Sequence, residues 1–143
     1  MKAVSEFRAL VVEDYKPFLD YVCSTLRRLP NVQVVDEVQN GLEAVERAQA
    51  LQPDLILLDI GLPGLNGIEA AHRIRRVAPD ARILFITQET SDESVHEAFS
   101  LGAWGYVIKA QAGKDLLLAV EAILGGRKFA SKGLCGHSIG DSI

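Results

Sequence analysis

The chain has 143 residues, 48% of them hydrophobic and 24% charged, with a formal net charge of −4. That is the length of one ordinary globular domain. It holds no apolar run near the roughly 20 residues of a membrane span, and Met1-Lys2-Ala3-Val4-Ser5-Glu6 lacks the layout of a signal peptide. The first 126 residues carry 12 bases against 18 acids, a balance that repels phosphate backbones, so neither nucleic acid nor membrane is expected as a direct partner.

Five strand-like runs alternate with helical patterns along the chain. Phe7–Val12 comes first and ends in Glu13-Asp14. A helix then starts near Lys16, with Pro17 in the first turn, where a missing N–H costs nothing. Its residues Phe18, Val22 and Leu26 recur every four positions and mark a buried stripe. Val32–Val38 follows the helix stop Leu29-Pro30-Asn31. Leu55–Leu58 follows Gln52-Pro53-Asp54 and ends in Asp59. Arg82–Ile86 follows Ala78-Pro79-Asp80 and ends in Thr87, and Trp104–Ile108 runs out at Lys109. Proline cannot continue a helix, and the unbroken apolar runs suit parallel strands covered on both faces. Residues 126–143, rich in Gly and Ser, read as a linker or tail.

This alternation predicts an α/β fold, a doubly wound parallel sheet of five strands in the order 2-1-3-4-5 with helices on both faces. Such sheets place their sites where the strand order reverses, outside the carboxyl ends of strands 1 and 3. There the sequence puts Glu13, Asp14 and Asp59, with Thr87 and Lys109 at the ends of strands 4 and 5. Each residue alone has a plain reading as a cap or a solvated charge. Four strand ends agreeing is harder to dismiss. Clustered carboxylates repel unless a cation intervenes, and hard oxygen ligands suit Mg²⁺, which also binds phosphate. Nucleophile, metal site, hydroxyl and ammonium are the parts for phosphoryl transfer to a carboxylate.

The segments Ala9-Leu10-Val11-Val12-Glu13-Asp14, Asp59-Ile60-Gly61-Leu62-Pro63-Gly64-Leu65-Asn66-Gly67, Thr87 and Tyr106-Val107-Ile108-Lys109 resemble bacterial response-regulator receivers. The resemblance covers a domain of residues 6–125 and implies a flavodoxin-like sheet of the order just given. It implies that Asp59 is the phosphoacceptor, taking its group from a sensor histidine kinase or a phosphotransfer protein. It further implies that Asp14 binds Mg²⁺ directly, that Glu13 does so mostly through water, and that the Gly61 backbone carbonyl and Asp59 supply further ligands. Thr87 and Lys109 would each meet a phosphoryl oxygen, and Tyr106 would be the aromatic switch whose rotamer follows Thr87. The output face would be the fourth helix, fifth strand and fifth helix, with a homodimer formed on phosphorylation. In two places the sequence departs from the common pattern: position 13 is Glu where Asp is common, and Ala110 stands where proline is frequent after the lysine.

Ala119-Val120-Glu121-Ala122-Ile123-Leu124-Gly125-Gly126-Arg127 resembles the receiver ending of regulators of the NarL/FixJ class, which carry a LuxR-type helix-turn-helix. A receiver cut from a transcription regulator and a stand-alone signalling protein both fit. The expected function is a cytoplasmic phosphorylation switch, not an enzyme. An aspartyl-nucleophile phosphatase looks for a second Asp two residues on, where Gly61 stands. The alternative is a receiver-like binding module that is not phosphorylated, yet such modules usually lose an acid, the Thr or the Lys.

Other signals carry less. The glycines of 61–67 lack a nucleotide-binding spacing and read as turns. Asp54 lies at the opposite end of its strand, roughly 16 Å from Asp59 at 3.3 Å per residue. His72, His96 and His137 share no metal spacing, and Cys135-Gly136-His137 is too short for zinc. Cys23 and Cys135 show no framework spacing and fit a reducing compartment.

Overall fold

The computed structural model describes residues 6–133. Cys135, His137 and the rest of the tail from 134 onward lie outside the described residues, as do residues 1–5. The elements are β1 (Phe7–Val12), α1 (Lys16–Leu26), β2 (Val32–Val38), α2 (Gly41–Leu51), β3 (Leu55–Leu58) and α3 (Gly67–Val77). They continue with β4 (Arg82–Thr87), α4 (Asp92–Ser100), β5 (Gly105–Ile108), a 3₁₀ turn (Lys109–Gln111), α5 (Ala112–Leu124) and β6 (Phe129–Ala130). The strands form one sheet in the order β2-β1-β3-β4-β5-β6, and every pair is parallel.

Period-two alternation splits the core. Leu10, Val12, Ile56, Leu58, Ile83, Phe85 and Tyr106 point to one face, where α2, α3 and α4 bring Ala44, Ala48, Ala71, Ile74, Val95 and Ala98. Ala9, Val11, Leu55, Leu57, Leu84, Ile86 and Val107 point to the other, against Leu19, Val22 and Leu26 of α1 and Leu116, Val120 and Ile123 of α5. Burial on both faces is why these strands are unbroken apolar runs. Helix starts follow the capping rule: the side chains of Asn40, Asn66 and Ser91 each accept an N–H two residues into α2, α3 and α4. Cys23 is a buried core residue, and burial pushes its thiol up to about 12.

The expected count of five strands is corrected to six. β6 lies within residues 126–143, the stretch read as a linker or tail. After α5 the chain reverses at Gly126, whose φ of 86° suits glycine, and the Arg127 N–H returns to the Ala122 carbonyl at 2.8 Å. Phe129 and Ala130 then pair with Gly105 and Tyr106, one packing on each core. Two paired residues between glycines and polar residues are too short a run for a pattern-based strand assignment. Trp104 precedes β5, and its ring packs under the Arg82 guanidinium at 4.3 Å, consistent with a packing role.

The loop after β3 is set by a close approach. A Cβ on Gly67, the first residue of α3, would press on the Asp59 carbonyl and lie 2.6 Å from Ile60 Cα. At Gly61 a Cβ would meet nothing within 4 Å. Gly67→Ala is therefore expected to lose roughly 2 kcal/mol or more in urea unfolding, as overpacking against backbone does. Gly61→Ala is expected to stay within about 0.5 kcal/mol of the wild type. Equal stability of the two variants would contradict this account of the loop.

Candidate functional site

Sheet register brings the candidate residues to one level. Val12 pairs with Leu58, and the Asp59 N–H donates to the Val12 carbonyl at 3.2 Å, so Glu13 and Asp59 leave neighbouring strands side by side. Thr87 pairs with Ile108 at the ends of β4 and β5, so Lys109 emerges beside Thr87. A cleft of about 270 Å³ opens there, lined by Glu13, Asp14, Tyr15, Asp59, Gly61, Thr87, Gln88, Glu89 and Lys109. All the residues expected to handle metal and phosphoryl group line this cleft. Asp54 does not: it sits at the far end of β3, where its carboxylate accepts the Arg8 N–H at 2.8 Å. His72 and His96 are exposed on α3 and α4.

Carboxylate oxygens of Glu13, Asp14 and Asp59 lie within 4.8 Å of one another, with Glu13 and Asp59 buried and Asp14 exposed. The Lys109 ammonium compensates them: it is 2.8 Å from Glu13 Oε1 and 3.2 Å from Asp59 Oδ2. Burial works to raise the Glu13 carboxyl and to lower the Lys109 ammonium. For Glu13 burial wins over the lysine and its pKa is raised; for Lys109 the bonds to Glu13 and the charge of Asp59 win, and its pKa is raised too. The Tyr15 N–H also donates to Glu13 Oε2 at 2.9 Å, and the Gly61 N–H donates to Asp59 Oδ1 at 3.2 Å.

Two neighbours add contacts that the sequence does not display. Phe18, read as a core position of α1, carries the Lys109 ammonium 4.9 Å above its ring. Glu89 contributes its backbone: its carbonyl accepts the Tyr106 hydroxyl at 2.8 Å, while its N–H donates to Thr87 Oγ1 at 3.3 Å. The Tyr106 ring is fully buried and lies near Phe85 and Phe99 at 6.2 and 6.5 Å between centroids. Thr87 and Tyr106 are thus joined through one residue of the β4–α4 loop, with the ring already turned inward. Burial raises the Tyr106 phenol above its ordinary value, so it stays a donor to the Glu89 carbonyl into the alkaline range.

Comparison with known proteins agrees with this geometry. Residues 9–121 match the family profile of the response regulator receiver domain. The chain is 34% identical over 125 residues to the nitrate/nitrite response regulator protein NarL of Escherichia coli strain K12, covering 87% of this chain and 58% of NarL. It is 36% identical over 122 residues to the DNA-binding transcriptional activator DevR/DosR of Mycobacterium tuberculosis, covering 85% and 56%. The chain therefore spans somewhat over half the length of these relatives. Among solved structures, a LuxR-family two-component response regulator from Aurantimonas sp. SI85-9A1 superposes with a TM-score of 0.85 at 35% identity, covering 91% of this chain and 93% of that one.

An ammonium seated among carboxylates competes with any cation for them. Lys109→Met is expected to tighten Mg²⁺ binding by about 1 kcal/mol, roughly fivefold in Kd, because one competing charge is removed at short range. Titration calorimetry checks this, and weaker binding in the variant would contradict the competition.

Proposed function

The chain belongs to the response regulator receiver family, and from that premise we propose that it is a Mg²⁺-dependent phosphorylation switch with Asp59 as phosphoacceptor. The observation that carries the reading is the Lys109 ammonium held between Glu13 and Asp59 in a cleft that also contains Asp14 and Thr87. The donor chemistry fits the metal: three carboxylates converge and no soft ligand is among them. Asp14 is assigned as a direct ligand because it is exposed to the cleft, Glu13 as a ligand mostly through water, and Asp59 with the Gly61 carbonyl as the others. Bound there, Mg²⁺ neutralises charge on the carboxylates and on phosphoryl oxygens.

The step is an in-line displacement. An Asp59 carboxylate oxygen forms the new O–P bond as the P–N bond of a phosphohistidine on a sensor histidine kinase or phosphotransfer protein breaks, and the imidazole keeps the electron pair. Lys109 exchanges its carboxylate partners for a phosphoryl oxygen, and the Thr87 hydroxyl donates to another. Both bonds belong to the phosphorylated state, so they give the group a differential affinity for one conformation. The inward Tyr106 ring on the Glu89 carbonyl is the end of the equilibrium those bonds favour.

Output is assigned to the face of α4, β5 and α5, with β6 now lying along β5. On α5, Leu116, Val120 and Ile123 are core, whereas Leu118 is 52% exposed. We assign self-association on phosphorylation to this region, in a cytoplasmic regulator of transcription of the kind its relatives represent. The protein is read as a switch and not as an enzyme acting on an external substrate.

With acetyl phosphate and Mg²⁺, the wild type is expected to gain the mass of one phosphoryl group. Asp59→Asn abolishes the gain, Asp54→Asn keeps it, and EDTA prevents it. Full labelling of Asp59→Asn would sink the assignment of the phosphoacceptor, and no mass gain in the wild type would favour a binding module that is not phosphorylated.

A further inference from the structure

The chain after α5 returns to the scaffold of the site at several points that the assignments above do not use. The Ser131 N–H donates to the Tyr106 carbonyl at 2.9 Å, extending the β5–β6 ladder by one bond. The next bond changes type: the Ile108 N–H donates to the Ser131 hydroxyl at 3.1 Å. That hydroxyl in turn donates to Asp115 Oδ2, in the first turns of α5, at 2.7 Å. Ser131 is 3% exposed and Asp115 4%. A further bond, from Gln111 Nε2 to the Lys132 carbonyl at 3.2 Å, ties the same segment to the 3₁₀ turn.

Ile108 directly precedes Lys109, and Lys109 opens the turn that leads into α5. No proline follows the lysine and no cis peptide bond stiffens the turn. Its entry is instead gripped by one buried hydroxyl, used as acceptor by the backbone and as donor to a buried carboxylate. Removing that hydroxyl leaves both the Ile108 N–H and the Asp115 oxygen short of a partner, and the turn carrying Lys109 loses its tether.

We propose that Ser131 and Asp115 are positioning residues for Lys109, a latch that fixes where the ammonium meets a phosphoryl group on Asp59. The inference rests on the reading of Asp59 as phosphoacceptor. It differs from a plain cap on β5 in a measurable way, because Lys109 faces the phosphoryl group and is not a ligand of the metal. A misplaced ammonium slows phosphoryl transfer and, because it competes less well for Glu13 and Asp59, leaves Mg²⁺ binding as tight as before or tighter; a generally loosened site loses both.

The test uses the whole chain, with acetyl phosphate as donor at saturating Mg²⁺ and intact mass as readout, beside Mg²⁺ affinity from calorimetry. Ser131→Ala is expected to label about tenfold more slowly, short of the roughly hundredfold cost of an ångström of misplacement. Its Mg²⁺ affinity is not weakened and rises by at most the roughly fivefold expected of Lys109→Met, and Ser131→Thr, which returns a hydroxyl, recovers the labelling rate. Labelling of Ser131→Ala at the wild-type rate, or a parallel loss of Mg²⁺ affinity, overturns the proposal. If Ser131→Ala does not fold, Ser131→Cys keeps the volume, weakens both hydrogen bonds, and is read by the same two outcomes. Asp59→Asn and Lys109→Ala are measured alongside. Loss of labelling in both with none in Ser131→Ala overturns the latch alone, whereas full labelling of Asp59→Asn overturns the phosphoacceptor reading beneath it.

Discussion

Carboxylates of Glu13, Asp14 and Asp59 converge within 4.8 Å, two of them on buried residues, and such a cluster stands only where positive charge is supplied. In this structure Lys109 supplies it, from the end of a different strand, at 2.8 and 3.2 Å from two of the acids. The rest of the site depends on that compensation. It keeps Glu13 and Asp59 close enough to share a cation, and it makes the lysine a competitor that a metal displaces or a phosphoryl group attracts. Phe18 beneath the ammonium adds an attraction that leaves its hydrogen-bonding directions free for the acids.

The parallel sheet is what makes this charge arrangement possible. Side chains from β1, β3, β4 and β5 converge because every strand pair runs the same way, so their carboxyl ends share one edge. A one-residue slip of a strand buried on both faces would exchange the two cores, so β3, β4 and β5 keep one register, and the one register shift among the described strands, between Ala9 and Leu10 of β1, faces the edge strand β2. Rigidity below the cleft thus contrasts with the short connections above it, where Thr87, Glu89 and Tyr106 form a connected path from the cleft to the α4 side. At the far edge β6 closes on β5, so the lysine-bearing turn lies between two hydrogen-bonded frames, one through Glu89 and one through Ser131.

Much of this is legible in the amino-acid sequence. Apolar runs of four to six residues, proline stops and strand-end acids carried the sheet order of the first five strands and the positions of Glu13, Asp14, Asp59, Thr87 and Lys109. These features are local, and local patterns are what a single sequence displays. What stayed hidden depends on contacts across the sequence. Phe18 reads as one more apolar position until Lys109 is placed above it. The bonds that Glu89 makes to Thr87 and Tyr106 run through its main chain, which has no side-chain signature. β6 pairs two residues only, in a stretch whose glycines and serines look like a linker, and its stability comes from the exposed edge of β5 and from Ser131.

A crystal structure of the chain grown with Mg²⁺ and beryllofluoride tests the central claim most directly. The account predicts beryllium on a carboxylate oxygen of Asp59, a cation held by the neighbouring acids, and the Lys109 ammonium moved from Glu13 to a fluorine. Beryllofluoride bound elsewhere, or Lys109 still paired with Glu13 beside an occupied Asp59, would contradict it.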